Sequence, residues 1–438
     1  MSASTTVLSA RTHKGYPSWG PDLQVQALAA QGWNVLQADW PLPCAVLRQG
    51  ALQHNLGWMQ RLVDQSGVAL APHGKTTLSP ELFRAQLDAG AWGITFASVG
   101  QLAVGVAHGV RRALIANQVL LPHDLHWLER LHQAQPTLQA PFWLDSLDQL
   151  HAVEQAACSQ PLDVLVELGL PDGRTGCRRD DQALALARAA RASPAVRLVG
   201  LACYEGLWTT GNTDSDTILV NQLMQRVHQL LRQCDAEGLF DQTHQIFISA
   251  GGSAVFDLVA PWLRPPADPP LSRPVLGLLR AGCSLTHDHG TYQRLAPPML
   301  QRLRHHGLAG QPWDCGGGLQ AALEVWAVVQ SCPEPGLAIL NAGKRDLSHD
   351  AGLPTPVRWC PEGSTAIATC PAGWHIRALN DQHAYLHHPT TASAAPPLRV
   401  GDRVALGISH PCTTFDKWRW MPLVQDDGTV VGGITTHF

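Results

Sequence analysis

The strongest constraint on the fold is a rhythm of short apolar runs that recur roughly every 20–35 residues, the length of one strand-plus-helix unit. Continuous runs of Val, Ile, Leu and Ala are typical of strands that are buried on both faces of a sheet. Eight such runs occupy residues 44–47, 68–71, 93–97, 113–116, 142–144, 164–167, 198–202 and 246–249. Eight strands that alternate with helices favour a (β/α)8 barrel over an open sheet.

Helix-like sequences lie between the runs. In residues 79–89, Ser79 suits an N-cap, Pro80 suits the first helical position and Gly90 follows the last turn. Residues 180–192 are rich in Ala, Arg and Leu, which also favours a helix.

The pattern changes after residue 258. Residues 260–274 are proline-rich and predict a surface loop. Short alternating runs follow at residues 324–330, 337–340, 366–369, 384–387 and 402–407. Such runs, separated by Gly, Pro and Asp, are typical of an antiparallel β domain, with residues 388–397 as a hairpin tip.

The sequence therefore predicts an α/β protein in three parts. Residues 1–40 form an N-terminal extension that packs on the β domain. Residues 41–290 form the barrel, and residues 291–438 form the antiparallel β domain.

Composition excludes several classes of protein. The net charge of -4 argues against nucleic-acid or membrane-surface binding driven by bulk electrostatics. No apolar run reaches the ~18 residues of a membrane span, and the N-terminus does not resemble a signal peptide, so a cytoplasmic location is the default expectation. The eleven scattered cysteines predict buried free thiols instead of a disulfide framework.

Lysine is scarce. The chain has four lysines, Lys14, Lys75, Lys344 and Lys417, against 27 arginines. Any chemistry that needs an amine must use one of these four side chains.

Lys75 is the best candidate among them. It lies in the segment APHGKTT, residues 71–77, between an apolar run and the capped helix. The carboxyl ends of barrel strands carry active-site residues, and a partly desolvated lysine there can form a Schiff base. The alternative is that Lys75 is a solvated lysine in a loop. The neighbouring His73 and Gly74 make this interpretation less favoured.

Two further segments could bind ligands. The small residues of SAGGS, 249–253, expose backbone N–H groups that suit a phosphate, although a tight turn explains the pattern equally well. In His410-Pro411-Cys412, residues two apart share one face of a strand, and imidazole with thiolate is a good half-site for zinc. The alternative is a surface histidine beside a buried cysteine.

Tyr204 and Arg174 each follow an apolar run. The segment Tyr204-Glu205-Gly206 could place a phenol or a carboxylate in the barrel mouth, and Arg174 could meet an anionic or ring-nitrogen partner. Taken singly, both would be ordinary loop residues.

Together these segments resemble the D-serine dehydratase / D-threonine aldolase-like family, whose members are pyridoxal 5'-phosphate (PLP) enzymes of the alanine racemase fold. The resemblance runs from about residue 40 to 435. It rests on PHGKT at 72–76, IAN at 115–117, GRTG at 173–176, AGGS at 250–253, NAGKRDLSHDAGLP at 341–354, NDQH at 380–383 and HPC at 410–412.

The resemblance implies a barrel that carries PLP, with Lys75 forming the internal aldimine. It implies that Tyr204 lies beside the cofactor and that the AGGS segment meets its phosphate. The residues that it assigns to PLP are Lys75, Arg174, Tyr204, Gly251, Gly252 and Ser253, and those that it assigns to catalysis are Lys75, His73 and Tyr204.

The resemblance also implies a divalent metal, zinc before manganese, bound by His410 and Cys412 near the cofactor, and a homodimer with the site near the subunit interface. Ala71, Thr77 and Gln382 depart from residues that are frequent in the family, Arg, His and Glu respectively. These positions border the site, so substrate preference is expected to differ among members.

The expected activity is β-elimination of a D-β-hydroxy-amino acid such as D-serine or D-threonine, which gives a 2-oxo acid and ammonia. The closest alternative is a D-threonine aldolase, which would release glycine and an aldehyde. Racemisation and a non-catalytic PLP-binding protein remain as less favoured alternatives, since the metal pair and the β domain speak against them.

Overall fold

Two β-sheets organise the chain in the computed structural model, which describes residues 6–266, 270–305, 307–308, 312–314, 316–389 and 398–438. Within these residues, one sheet has eight parallel strands and the other has ten strands that are mostly antiparallel. A separate two-stranded ribbon lies in the N-terminal segment. The α/β class predicted from the sequence is confirmed.

The elements of the first part of the chain alternate as the sequence predicts. The strands are β1 (Val7–Leu8), β2 (Leu23–Gln24), β3 (Cys44–Arg48), β4 (Ala69–Leu70), β5 (Ile94–Phe96), β6 (Ala113–Gln118), β7 (Phe142–Leu144), β8 (Leu162–Leu168), β9 (Val196–Cys203), β10 (Ile246–Ala250) and β11 (Val275–Leu279). The helices are α1 (Gln49–Ser66), α2 (Pro80–Asp88), α3 (Val99–Ala107), α4 (Pro122–Ala134), α5 (Leu147–Gln155), α6 (Asp180–Ala192), α7 (Thr213–Ala236), α8 (Phe256–Val259) and α9 (Thr291–His305), with short 3-10 turns at Val25–Gln31, Gly74–Thr76 and Ala260–Leu263.

The eight parallel strands form a barrel in the order β4-β11-β10-β9-β8-β7-β6-β5. The two ends of this order meet just beyond β4, where His73 bridges Thr95 of β5 in parallel register. The Thr95 N–H donates to the Pro72 carbonyl at 2.9 Å, and its hydroxyl donates to the Ala71 carbonyl at 2.5 Å. The barrel therefore closes at the segment that carries Lys75.

Side chains fill the barrel interior. Its buried core includes Leu114, Trp143, Leu165, Phe247 and Leu278, contributed by five different strands. Because side chains fill this interior, a ligand of the barrel has room at its mouth and not inside it.

The prediction that residues 44–47 form the first barrel strand is wrong. This segment is β3, which pairs antiparallel with β12 (Leu323–Glu334) and parallel with β19 (Trp420–Val424). A buried apolar run does not reveal which sheet buries it. The remaining barrel strand is β11, which follows the proline-rich residues 260–274 directly and was not predicted.

The chain consequently starts in the second sheet, builds the barrel and returns. Helix α1 joins the two parts, because Ala51 and Leu52 pack in the core of the second sheet while Trp58 and Leu62 pack in the barrel core. The interpretation of residue 41 as the start of the barrel therefore places β3 in the wrong unit.

The further elements of the second part are β13 (Leu337–Leu340), β14 (Thr355–Cys360), β15 (Ala368–Thr369), β16 (His375–Leu379), β17 (Ala384–His387), β18 (Arg403–Gly407), β20 (Val430–Thr435) and the short helix α10 (Cys412–Phe415). The strands of the second sheet have the order β15-β14-β18-β12-β13-β17-β16, with β3, β19 and β20 joined beside β12. Four of these strands, β14, β16, β19 and β20, were not predicted from the sequence. Most of the predicted hairpin tip at 388–397 lies outside the described residues.

The two helices predicted from the sequence are present as α2 and α6, within one residue of the expected ends.

Residues 6–40 lie on the second sheet, where Tyr16 packs edge-on against Trp33 and Trp420. Within the part of the chain that the structure describes, no helix combines the length and apolar character of a membrane span.

Gly200 provides a test of the barrel packing. A Cβ atom at this position would lie 2.0 Å from the Phe247 carbonyl oxygen of the neighbouring strand β10. We expect Gly200→Ala to lower the melting temperature by at least about 5 °C, because backbone cannot move aside as a side chain can. Gly50→Ala is the matched control, since the Cβ atom that alanine would add there meets nothing within 4 Å. Equal melting temperatures in a calorimetric scan would contradict this packing.

Candidate active site

Lys75 lies at the mouth of the barrel because of the turn that follows β4. After Leu70 the chain runs through His73 into the 3-10 turn Gly74–Thr76. A Cβ atom at Gly74 would lie 2.5 Å from Ile94 Cγ2 and 2.8 Å from Phe83, so only glycine fits there. The close packing of Gly74 on the core fixes where the Lys75 backbone leaves the barrel wall.

The C-terminal end of the chain holds the other side of this turn. Leu78 has a φ of +39°, a left-handed value that costs energy for a branched residue. Its carbonyl accepts the His437 N–H at 3.0 Å, and the Glu81 carboxylate accepts the Thr435 N–H at 3.1 Å. The β domain therefore helps to shape the loop that carries Lys75.

A cavity of about 150 Å³ opens beside Lys75. All nine site residues predicted from the sequence line it, although they come from five separate stretches of the chain. The lining residues are His73, Lys75, Thr76, Trp143, Arg174, Tyr204, Gly251, Gly252, Ser253, Arg280, Gly282, Cys283, Tyr292, His410 and Cys412. The structure thus brings the candidates together, and their individual roles stay predictions.

The cavity is cationic. Lys75, Arg174 and Arg280 contribute positive charge, and the described lining residues include neither aspartate nor glutamate. This arrangement suits an anionic ligand such as a phosphate ester.

Arg280 is a site residue that sequence reasoning missed. Its guanidinium is buried, donates to Ser249 Oγ at 2.7 Å and to the Cys203 carbonyl at 2.6 Å, and lies 4.8 Å from the Trp143 ring centroid. It follows β11 directly, so recognition of that strand would have drawn attention to it, because residues at strand ends face the barrel mouth.

His73 is held as a neutral imidazole. Burial is the main cause that places its pKa well below the usual value, and the nearby cations Lys75 and Arg280 lower it further. Its Nδ1 atom and the Trp143 Nε1 atom are buried without a hydrogen-bond partner. Buried polar atoms are rarely left unpaired in a protein, so both indicate that a ligand completes this cavity.

The glycine-rich segment after β10 behaves as an anion site. The Gly251 and Gly252 N–H groups donate to the buried Glu205 carboxylate at 3.2 and 2.6 Å. A Cβ atom would lie 2.3 Å from Leu279 at Gly251 and 2.8 Å from Tyr204 at Gly252. In this structure the Glu205 carboxylate therefore accepts the hydrogen bonds of both backbone amides. Phosphate binding at Gly251, Gly252 and Ser253 stays a prediction.

Tyr204 and Arg174 lie against each other. The Arg174 guanidinium is 5.1 Å from the Tyr204 ring centroid. Burial, followed by the Glu205 charge, raises the pKa of the Tyr204 phenol. Tyr204 is therefore a proton-bearing hydroxyl at neutral pH, beside a cation.

The second sheet contributes the His410–Cys412 pair to the cavity lining. The expectation that both residues occupy one strand is wrong, because β18 ends at Gly407 and Cys412 begins α10. Pro411 has φ -58° and ψ -45°, so it turns the chain into a helix. The side chains still line the same cavity, and each shifts the pKa of the other.

Two neighbours set the charge of this pair. His410 Nδ1 lies 2.6 Å from Asp350 Oδ2, and Cys412 Sγ lies 3.9 Å from Cys283 Sγ. Hydrogen bonds to Cys283 first, then to His410, lower the pKa of Cys412 to about 4. Hydrogen bonds to Cys412 and Asp350 raise the pKa of His410 to about 9.

This donor set fits a metal ion. A thiolate and an imidazole are ligands that Zn²⁺ prefers, and an imidazole whose other nitrogen bonds a carboxylate is the usual arrangement around zinc. Asp350 and Cys283 were not predicted from the sequence. Asp350 lies in the NAGKRDLSHDAGLP motif, so a search for a carboxylate partner of His410 could have found it.

A larger groove of about 850 Å³ lies between α7, α8 and α9. Its described lining residues include no lysine, histidine or cysteine. Its main charged groups, Asp257 and Arg302, are paired with each other at 2.7 Å. The groove therefore lacks the chemistry that the barrel mouth has.

Comparison with known proteins identifies two known domains in the chain. The alanine racemase N-terminal domain matches residues 47–265, and the putative serine dehydratase domain matches residues 322–424. D-threonine aldolase of Arthrobacter sp is 30% identical over 392 residues, which is 88% of this chain and 89% of that protein.

Solved structures share the fold. The D-threonine aldolase from Filomicrobium marinum superposes with a TM-score of 0.73 at 23% identity, over 91% of this chain and 96% of that one. The D-threo-3-hydroxyaspartate dehydratase from Delftia sp. HT23 gives a TM-score of 0.68 at 22% identity, over 91% and 98%. A cysteine-to-alanine variant of a dehydratase of that name, solved in its metal-free form, gives a TM-score of 0.67 at 21% identity, over 91% and 98%.

His289, in the segment that links β11 to α9, is expected to make the stability of the protein depend on pH. Burial, then the charges of His287 and Arg48, lower the pKa of His289 to about 4, and its Nδ1 has no partner. Between pH 6.5 and 4 the unfolded chain therefore binds a proton that the folded chain does not, so stability falls as pH falls.

We expect His289→Gln to remove up to about 1.4 kcal/mol per pH unit from this dependence, measured by denaturant unfolding between pH 7 and 5. His123→Gln, at an exposed histidine, is the control and should leave the slope unchanged. An identical slope in the His289 variant would contradict the burial of a neutral ring.

Proposed function

Because this chain belongs to the D-serine dehydratase / D-threonine aldolase-like family of PLP-dependent lyases, we propose that it eliminates water from D-β-hydroxy-amino acids. D-Serine or D-threonine would give a 2-oxo acid and ammonia. The observation that carries the proposal is that Lys75, His410 and Cys412 line one cationic cavity. An amine for the cofactor and ligands for a metal are the two parts that this elimination needs.

The cavity fits PLP by charge and by its unpaired atoms. Lys75 is the one lysine among the described lining residues, so it is the residue that would attach the cofactor covalently. Arg174 and Arg280 would offset the anionic charge, and the buried Trp143 Nε1–H is free to donate a hydrogen bond to the cofactor. When bound, PLP supplies an electron sink for the charge that develops at Cα.

Lys75 and His73 are the proton carriers that we assign. Lys75 Nζ is the one described amine in the cavity, so it would be the group that takes the Cα proton when it is not attached to the cofactor. His73 is neutral, so its Nδ1 can accept a proton or share one with the substrate hydroxyl. Tyr204 keeps its proton and can donate a hydrogen bond from the cofactor side.

The residues that the β domain contributes to the cavity would bind the metal. His410, oriented by Asp350, and Cys412 would hold the ion. A bound Zn²⁺ supplies a Lewis acid for a hydroxyl, which otherwise leaves poorly. The metal-free cysteine variant of the dehydratase supports this assignment, since its name links a cysteine to a metal.

The second candidate function is a D-threonine aldolase. The observation that favours it is the Arthrobacter relative, which carries that name and matches most of the chain. An aldolase needs a base at the substrate hydroxyl, whereas elimination needs an acid there. The thiolate-containing donor set favours zinc and therefore the acid.

The products formed from D-threonine separate the two functions. We expect 2-oxobutyrate and ammonia in equal amounts, falling by more than about tenfold after treatment with a chelator and returning with Zn²⁺. Lys75→Ala is the blank and should give no product. Glycine and acetaldehyde as the main products would contradict elimination and support the aldolase.

The metal assignment has its own test. We expect His410→Ala and Cys412→Ala to purify with less than about a tenth of the wild-type zinc, while both stay yellow with bound PLP, because their side chains do not attach the cofactor. Cys332→Ala, at an exposed thiol, is the control and should keep its zinc. Unchanged zinc by atomic emission in either site variant would refute the assignment.

A further inference from the structure

A second thiol lies beside the proposed metal ligands. Cys283 Sγ is 3.9 Å from Cys412 Sγ, and both residues line the same cavity. Cys283 follows barrel strand β11, whereas Cys412 begins α10 in the β domain. Two parts of the chain that are 129 residues apart therefore bring their sulfur atoms together at this point.

The separation matches two thiolates on one ion. With Zn–S bonds of about 2.3 Å and a tetrahedral angle, two sulfur ligands lie about 3.8 Å apart. A disulfide would require about 2.05 Å. We propose that Cys283 is the third protein ligand of the metal, which rests on the metal site proposed above and completes a set of two cysteines and one histidine.

The Cys283 backbone is fixed, so the thiol has a defined position. Its N–H donates to Ser253 Oγ at 3.0 Å, and its carbonyl accepts the His287 N–H at 2.7 Å. Gly282 packs on His73 so tightly that a Cβ atom would lie 2.5 Å from the His73 Cβ. Cys283 itself is buried, with 6% of its surface exposed. A ligand held in this way costs little entropy when it binds.

Neighbouring groups prepare both sulfurs for a cation. Cys412 Sγ lies 3.4 Å from Thr76 Oγ1, and Tyr292 lines the same cavity as Cys283. A coordinated dication would displace the proton that the two thiols share, since a metal deprotonates the thiols that bind it. Asp350 holds His410 Nδ1, so Nε2 is the nitrogen left for the ion.

The third ligand has a consequence for metal choice. Two thiolates and an imidazole are soft donors that favour Zn²⁺ over Mn²⁺, whereas a single thiolate discriminates less. Three protein ligands also leave one position for a substrate oxygen, the pattern of catalytic zinc sites. Cys283 would thus decide which metal the site selects.

Sulfur counting by X-ray absorption of the zinc holoenzyme tests this directly. Among the described residues, His126, Glu129 and Cys158 near α4 are the group of three metal-type donors whose ligand atoms already lie within 4.8 Å of one another. The ligand atoms of His410, Cys412 and Cys283 do not all lie that close, so the ion would have to draw a side chain inwards at the barrel mouth. The measurement therefore uses the Cys158→Ser background, under reducing conditions, at one zinc per chain. We expect two sulfur neighbours at about 2.3 Å.

In the same background, Cys283→Ser should leave one sulfur neighbour and weaken zinc binding by at least about 100-fold, more than the loss of an outer-shell partner. PLP absorbance should be retained, which shows that the cavity is intact. One sulfur in the parent protein, or two in the variant, would overturn the inference while leaving the His410–Cys412 site standing. A parent protein that binds no zinc would refute the proposed metal site itself, and the inference with it. Since the parent protein gives the count, the result does not depend on the folding of the variant.

Discussion

Closure of the barrel between β4 and β5 is the interaction on which the site depends. The backbone bridge between His73 and Thr95 completes the ring of strands within a few residues of Lys75. Gly74 then packs on Ile94 and Phe83, where no side chain would fit. The energy that closes the barrel therefore also directs the Lys75 amine into the mouth, and His73 is buried as a neutral ring because it is part of the closure.

The β domain completes what the barrel begins. It contributes His410 and Cys412 to the cavity wall, and its last strand supports the loop through Thr435 and Glu81. The barrel contributes Cys283 and Thr76, which contact Cys412. A metal at this junction would be bound by residues of both units, so ion binding and the arrangement of the two units would be thermodynamically linked.

The local features of the sequence predicted much of this arrangement. The strand–helix rhythm, the capped helix α2 and the PHGKT segment gave the barrel and the placement of Lys75, because each depends on neighbouring residues. The assignment of β3 failed because its partners, β12 and β19, lie far along the chain. Arg280 and Cys283 were missed for the same reason, since they follow β11, which a proline-rich stretch concealed. The contact of Glu205 with Gly251 and Gly252 was not predicted, because it joins two separate loops.

The central claim is that Lys75 is the amine that carries the cofactor. Borohydride reduction of the holoenzyme fixes the cofactor to its lysine, and mass spectrometry of the proteolysed chain then locates it among Lys14, Lys75, Lys344 and Lys417. The account predicts a phosphopyridoxyl group on the peptide that contains Lys75 and on none of the other three. A label on any other lysine, or reduced protein without a label, would contradict it.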